Sequence, residues 1–195
     1  MLSSRPLRRL WFPCLAAIPI ATFLVLGLFT SPTADDFCNA DRLARLGYSA
    51  SIKGYYLEWT GRYASASIAL LSGYLEQSTF MTWYWLWPTG LIVVTLASTY
   101  ALLQTINGAV LDSGLTRSSV LTAAIVLTST YLLGVEQPNE IIYWFTASTG
   151  YQLANILLVL LLAALIRLCV ADGGLARGVW FAAAGVRRRS PGRDR

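Results

Sequence analysis

The first long apolar stretch, residues 10–29, limits what this chain can fold into more than any other feature. A bilayer core of roughly 30 Å requires about 20 helical residues at a rise of about 1.5 Å each. This stretch has that length, and further apolar stretches follow at 83–106, 120–135 and 151–170. The pattern predicts an all-α integral membrane protein, with a single membrane domain over 1–170 whose helical bundle contains about four transmembrane helices.

The composition agrees with a membrane protein. Of the 195 residues, 55% are hydrophobic and only 13% are charged, whereas soluble domains carry about a quarter charged residues. The sequence has no histidine, which excludes Ser-His-Asp catalysis, Cys-His catalysis and His-ligated zinc. The spacing of Cys14, Cys38 and Cys169 does not resemble a metal site, and we expect no structural disulfide because the first and third lie inside apolar stretches.

The basic residues indicate a topology. The net charge is +5, and arginine clusters flank the apolar region at 5–9 and 187–189. Clusters that border membrane spans are topology signals, so nucleic acid is not an expected partner. With four spans, the positive-inside rule places both termini and a basic, unstructured tail, 171–195, in the cytoplasm. The acid-bearing loops 30–82 and 136–149 then lie together on the outer side.

The segment 62–77 leaves the number of spans open. It mixes apolar residues with serines and is short for a span, so it is predicted either as an interfacial amphipathic helix or as a fifth span. A fifth span would place Arg167 and the basic tail outside, which the positive-inside rule disfavours. We therefore expect interfacial helices in the first outer loop at 34–46 and 62–77.

Asp35 and Asp36 follow the first apolar stretch, where the chain is expected to leave the bilayer. They open the predicted helix 34–46, with Thr33 as its cap and Gly47 as its end. Acids in a first turn complement the helix dipole, and this alone would explain them at about 1 kcal/mol or less. The alternative is chemistry at the water–lipid boundary, where a carboxylate acts on a lipid-carried substrate.

Two further segments carry candidate site residues. In the first, Trp59 can stack on a sugar ring and Arg62 can hold a phosphate with two parallel hydrogen bonds. The alternative for Arg62 is a side chain that snorkels at the start of an interfacial helix. In the second, apolar and aromatic residues follow Glu140, which places it at membrane depth facing protein and favours a site role. An ordinary exposed loop is the alternative there, and Glu136 is not expected to have such a role.

These segments together resemble a bacterial family of uncharacterised polytopic membrane proteins that is similar to the GT-C glycosyltransferases. The resemblance covers most of residues 5–170, and its motifs are 34–37 (Ala-Asp-Asp-Phe), 58–62 (Glu-Trp-Thr-Gly-Arg), 140–144 (Glu-Ile-Ile-Tyr-Trp) and 150–151 (Gly-Tyr). It implies transfer of a sugar from a polyprenyl-phosphate carrier to a cell-envelope acceptor, on the outer face of the bacterial cytoplasmic membrane. Membrane lipid and the polyprenyl-phosphate-linked sugar would then be the partners.

The resemblance also implies roles for the candidate residues. Asp35 or Asp36 would be the base toward the acceptor hydroxyl, or a ligand of a divalent metal. Arg62 would bind the departing phosphate, and Glu140 would lie near the site as the acid of the second loop. The sugar pocket would be lined by two aromatic residues, Trp59 and Tyr143.

The length of the chain leaves other functions open. Enzymes of this type usually have many more spans, so the chain resembles an N-terminal portion of one. A non-enzymatic membrane component, such as a transporter or a complex subunit, is one alternative. An inactive fragment is the other.

Overall fold

Three stretches of the chain are described by the computed structural model: residues 5–59, 62–111 and 114–171. Side chains are described over 11–58, 62–109 and 114–170. These residues form helices and no strand, which confirms the predicted all-α class. Beyond Ala171, the predicted basic tail lies outside the described residues. The side chain of Trp59 also lies outside the described part of the chain.

The α-helices of the described residues follow one another with short connections. In chain order they are α1 (Arg5–Ala16), α2 (Ile18–Gly27), α3 (Ala34–Gly54), α4 (Tyr63–Leu70), α5 (Gln77–Trp83), α6 (Leu86–Ile106), α7 (Arg117–Gly134), α8 (Phe145–Gly150) and α9 (Gln152–Ala171). Wider π-helical turns occur at Tyr55–Trp59, Asn107–Leu111 and Asn139–Tyr143. A tighter 3₁₀ turn, Leu71–Tyr74, follows α4.

The first apolar stretch forms two helices that are nearly continuous. The N–H of Ala17 donates to the carbonyl of Pro13 at 3.0 Å, and the N–H of Ala21 donates to the carbonyl of Ala17 at 3.0 Å. Pro19 stands at the start of α2, where the N–H that proline lacks is not needed for a hydrogen bond within the helix. The chain therefore stays helical through both prolines.

Two helical segments of the described residues are long and apolar enough to cross a membrane, Leu86–Ala109 and Phe145–Val170, as judged by length and composition. In their most apolar windows only 22% and 11% of the residues are buried, so most residues of both segments remain at least partly accessible. A third apolar run, Trp11–Gly27, is shorter. Helix α7 is richer in serine and threonine and is not in this set.

Helix α6 is the centre of the packing. Helices α2, α7 and α9 all pack against it. The core formed at these contacts consists of side chains from α2, α6, α7 and the π-helical turn before α8: Ile20, Ile92, Leu132, Ile142 and Tyr143. Helix α6 is thus surrounded by helices that come from the other apolar stretches of the sequence.

The first outer segment contains one more helical segment than the sequence predicts. The helix that begins at Ala34 is broken at Gly47, which has φ +73°, but it resumes and continues to Gly54. The break predicted at Gly47 is therefore present, because glycine takes this φ without the steric cost that other residues incur, and a second helical segment follows it to Gly54. Segment 62–77 forms only α4 and one 3₁₀ turn before Leu75, which is too short to span a bilayer.

Helices α3, α4 and α8 pack together at one end of the molecule. Thr146 of α8 bonds to Asp36 of α3 across 110 positions of sequence. The two acid-bearing loops, predicted to share one side, are therefore in direct contact. Their meeting point contains a cavity.

Candidate functional site

A cavity of about 370 Å³ lies where α3, α4, α8 and the π-helical turn before α8 meet. Among the described side chains, three charged ones line it: Asp35, Arg62 and Glu140. Each comes from a different one of the segments that the sequence singled out. The cavity thus gathers residues that lie up to about a hundred positions apart in the chain.

Asp35 lies in the first turn of α3 and is exposed at the cavity. Consecutive residues of an α-helix point about 100° apart, because a turn contains about 3.6 residues. Asp36 therefore points away from the cavity and into the protein, where it is only 1% exposed. The two neighbouring acids have different surroundings for this geometric reason.

The carboxylate of Asp36 accepts four hydrogen bonds. Oδ2 accepts from the N–H of Thr33 at 3.0 Å and from the hydroxyl of Tyr84 at 3.1 Å. Oδ1 accepts from the N–H and the hydroxyl of Thr146 at 3.0 and 2.5 Å. Asp36 does not line the cavity; it holds α3 and α8 together behind the cavity wall.

Tyr84, between α5 and α6, completes this buried cluster. Its side chain is 2% exposed, and its hydroxyl accepts from the N–H of Phe145 at 2.9 Å. The same hydroxyl lies 3.1 Å from Asp36 Oδ2 and 3.0 Å from the carbonyl of Tyr143. It has a single proton to donate, and the carboxylate is the stronger acceptor. The sequence places Tyr84 in an aromatic cluster typical of a membrane interface and does not single it out.

A chain of hydrogen bonds leads from Tyr55 to Asp36 along the cavity. The hydroxyl of Tyr55 donates to Asn39 Oδ1 in a short hydrogen bond, Asn39 Nδ2 donates to Thr146 Oγ1 at 2.9 Å, and that hydroxyl donates to Asp36. Every donor points toward the carboxylate, and aligned hydrogen bonds of this kind strengthen one another. Burial raises the pKa of Tyr55, while the Arg42 guanidinium over its ring opposes that shift, and the phenol keeps its proton at neutral pH. The sequence does not reveal Asn39.

Arg62 lies at the exposed edge of the cavity beside Tyr151. Its Nη1 donates to the hydroxyl of Tyr151 at 3.2 Å, and its Cζ lies 5.3 Å from the centre of that ring. A guanidinium held by an aromatic side chain loses less conformational freedom when it binds an anion. This geometry suits a phosphate-binding group.

Glu140 lines the cavity from the π-helical turn before α8 and is partly buried. The amide of Gln137, with its nitrogen turned toward the carboxylate, donates to both Glu140 oxygens at 2.9 and 3.1 Å. These bonds hold the carboxylate and leave its other lone pairs for a ligand. The cavity therefore presents two carboxylates and one guanidinium.

The predicted aromatic residues of the sugar pocket are placed differently. Tyr143 is 8% exposed, does not line the cavity, stacks on Phe23 and donates to its carbonyl at 3.0 Å. The π-helical turn directs this residue into the core, and the next residue, Trp144, lines the cavity instead. The side chain of Trp59 lies outside the described part of the chain.

The predicted divalent metal has no cluster of ligands here. Within the described residues no group of three or more acidic, histidine or cysteine side chains could hold a metal ion. Asp35 and Glu140 are the acids that line the cavity, and the Asp36 carboxylate already accepts four hydrogen bonds. The carboxylates and the guanidinium that line the cavity can carry out acid–base chemistry and bind an anion.

Comparisons of the chain with known protein families, with curated proteins and with solved structures find no match.

Proposed function

We propose that this chain is a multi-pass protein of the bacterial cytoplasmic membrane, and that its cavity transfers a sugar from a polyprenyl-phosphate carrier to a cell-envelope acceptor. The observation that carries the proposal is the convergence of Asp35, Arg62 and Glu140 on one cavity. A carboxylate that can take a proton and a cation that can hold a phosphate are the two groups that this transfer needs.

The apolar helices support a location in the membrane. Leu86–Ala109 and Phe145–Val170 have the length and composition of spans, and Trp11–Gly27 is near the lower limit. In α7 the hydroxyls of Thr122 and Thr130 donate to carbonyls of their own helix at 2.9 Å, so they need no water. We take α2, α6, α7 and α9 as the spans.

The arginines support an orientation for the bundle. Arg117 begins α7 and Arg167 lies near the end of α9, so both are far along the helices from the loops that form the cavity. Arginines border the cytoplasmic ends of spans more often than the outer ends. The cavity would then open on the outer face, where the head group of a lipid-linked sugar lies.

The cavity suits the head group of such a carrier. Its volume of about 370 Å³ lies within the range of small-molecule sites. Arg62 would bind the phosphate, and Trp144 and Tyr151 offer aromatic faces to a sugar ring. Glu140 would accept hydrogen bonds from sugar hydroxyls.

Asp35 is the base in this mechanism. The acceptor hydroxyl oxygen forms a bond to the anomeric carbon while Asp35 takes its proton. The bond between that carbon and the phosphate oxygen breaks, and its electron pair leaves with the lipid phosphate, whose charge Arg62 stabilises. Asp36 serves as a positioning residue, because its four hydrogen bonds fix the start of α3 and so place Asp35.

The test separates transfer from binding with a matched pair of variants. Full-length protein in vesicles is given a panel of radiolabelled polyprenyl-phosphate sugars with a cell-envelope acceptor fraction. We expect Asp35→Asn to lower transfer by about 10²- to 10⁴-fold while the carrier still binds. Asp41→Asn is the control, since Asp41 is on the same helix and pairs with Arg45 at the surface.

Two results would remove the proposal. Full transfer by Asp35→Asn would show that its carboxylate is not the base. If the native chain binds the carriers but transfers no sugar from any donor tried, the result would favour a non-enzymatic membrane component. In that case Arg62→Gln would still weaken binding, and Arg45→Gln would leave it unchanged.

A further inference from the structure

A second cavity, of about 330 Å³, lies among α6, α7 and α9. It shares no lining residue with the first cavity. Helices α7 and α9 both pack against α6 but scarcely contact each other, so a groove remains between them. We call this the α7–α9 groove; Thr95 and Ser98 form its floor, and Thr128 and Ile156 form its sides.

One end of the groove is closed by a paired set of polar groups. The hydroxyl of Tyr131 on α7 donates to the Gln152 side-chain oxygen on α9 in a short hydrogen bond. Gln152 Nε2 in turn donates to Thr95 Oγ1 at 2.5 Å. These bonds join the three helices at the end nearer to the first cavity.

Thr128 differs from these residues because its hydroxyl has no hydrogen-bond partner. The residue is 1% exposed and lines the groove. A buried hydroxyl without a partner costs free energy, and such groups in native proteins are usually paired by a neighbour or by a ligand. No helix neighbour pairs with this one, although Thr95 and Thr130 both bond to carbonyls of their own helices.

The lining defines the chemistry of a ligand. The groove is lined by neutral side chains, so an ion would be buried there without an opposite charge. Its opening is flanked by Leu127 and Leu158, which are 51% and 62% exposed. A suitable ligand therefore has an apolar chain and one uncharged hydrogen-bonding group.

The size of the groove decides between a small ligand and a partner helix. An α-helix with its side chains is about 10–12 Å across. A volume of about 330 Å³ is too small for one and lies at the lower end of the range for small-molecule sites. A single lipid chain is the occupant that fits both the size and the apolar rim.

We propose that the α7–α9 groove binds an uncharged membrane lipid that carries a hydroxyl, with its chain between α7 and α9. Its hydroxyl bonds to Thr128 after that side chain rotates about χ1 and turns its enclosed Oγ1 toward the groove. The proposal requires that these helices lie in a bilayer. It does not require sugar transfer, and it involves none of the residues of the first cavity.

The test uses a long-chain alcohol with a diazirine in its chain as the probe. The full-length protein is placed in phosphatidylcholine vesicles with the probe, irradiated and analysed by peptide mass spectrometry. We expect labelling to be concentrated on 127–131 of α7 and 155–159 of α9. Thr128→Val should lower that labelling by about threefold to tenfold, the effect of one hydrogen bond.

Two controls make the result specific. Thr130→Val makes the same change on the exposed side of α7 and should leave labelling unchanged. A diazirine hydrocarbon without the hydroxyl should label native protein and Thr128→Val equally. Because Thr128 has no partner in the protein, Thr128→Val should also fold at least as stably as the native chain. If it does not fold, Thr99→Leu is the second variant, since it fills the groove and should abolish labelling there.

Three results would overturn the proposal. The first is probe labelling spread evenly over all exposed helix faces. The second is labelling that survives both Thr128→Val and Thr99→Leu. The third is a dimer joined by a bifunctional cross-linker through groove peptides of both copies, which would show that a second copy of the chain occupies the groove.

Discussion

Asp35 and Asp36 occupy consecutive positions in the first turn of α3, and each has a different partner set. Asp35 faces the cavity with Arg62 and Glu140, whereas Asp36 is enclosed by Thr33, Tyr84 and Thr146. One acid can therefore meet a ligand while the other stabilises the fold. Substitutions at the two positions should have separable effects.

Asp36→Ala should strongly destabilise the protein. It leaves the N–H and hydroxyl of Thr146, the hydroxyl of Tyr84 and the N–H of Thr33 without their acceptor. Each buried donor left unpaired costs about 1–3 kcal/mol, so we expect a loss of about 3–5 kcal/mol in the free energy of unfolding. Denaturant unfolding in detergent, followed by helical circular dichroism, measures it.

Asp35→Ala is the matched control for that loss. Asp35 is exposed, so its truncation should change the free energy of unfolding by about 0.5 kcal/mol or less. Equal stability of the two variants would contradict the positioning role given to Asp36.

At the scale of the element, α3 shows how one glycine shapes the site. Gly47 has φ +73° and ψ 167°, a conformation open almost only to glycine. The bend lets the helix resume and bring Ser51 and Gly54 into the buried interior. The hydroxyl of Ser51 donates to the carbonyl of Gly47 at 2.7 Å and supports the bend.

Gly47→Ala should destabilise the protein by about 1–3 kcal/mol through its backbone alone. A methyl group at Gly47 would meet no atom within 4 Å, so no side-chain clash contributes. The measurement is again denaturant unfolding in detergent.

Gly90→Ala is the opposite case in an α-helix. Its added methyl group also meets nothing within 4 Å, but Gly90 lies inside α6 with ordinary helical φ. We expect Gly90→Ala to be neutral or to stabilise by up to about 1 kcal/mol. A loss of stability at Gly90 as large as at Gly47 would rule out the backbone explanation.

At the scale of the whole molecule, the proposed orientation in a membrane can be tested at the cysteines. The three cysteines are exposed on the protein surface, but only Cys38 lines the cavity. Cys14 lies in the run Trp11–Gly27, and Cys169 lies near the end of α9. A bilayer around the helices would cover these two and leave Cys38 in water.

A membrane-impermeant maleimide should therefore label Cys38 from the outer face of intact cells. The double variant Cys14→Ser, Cys169→Ser should label to the same extent, and Cys38→Ser should not label. Prior labelling of Cys38 should also block binding of the lipid carrier, because the adduct would fill part of the cavity. Labelling of Cys38 only after the cells are opened would place the cavity on the cytoplasmic side.

Local sequence determines much of the helical arrangement. The start of α3 at Ala34, the positions of α6, α7 and α9 and the all-helical class follow from apolar length and from capping residues, which act over a few positions. The break of α3 at Gly47 also follows from the sequence, whereas the helical segment that continues to Gly54 depends on the contacts beyond the bend.

The tertiary structure alone decided which side chains form the cavity. The sequence segments suggested Asp35, Asp36, Trp59, Arg62 and Glu140 as candidates, and the family resemblance added Tyr143. Asp35 lines the cavity and Asp36 does not, and Trp144 lines it and Tyr143 does not. Both differences depend on the angle at which each helical turn packs against helices from distant parts of the chain. A sequence pattern encodes how apolar a helix face is on average, whereas the direction of one side chain is fixed by the neighbours that pack against it.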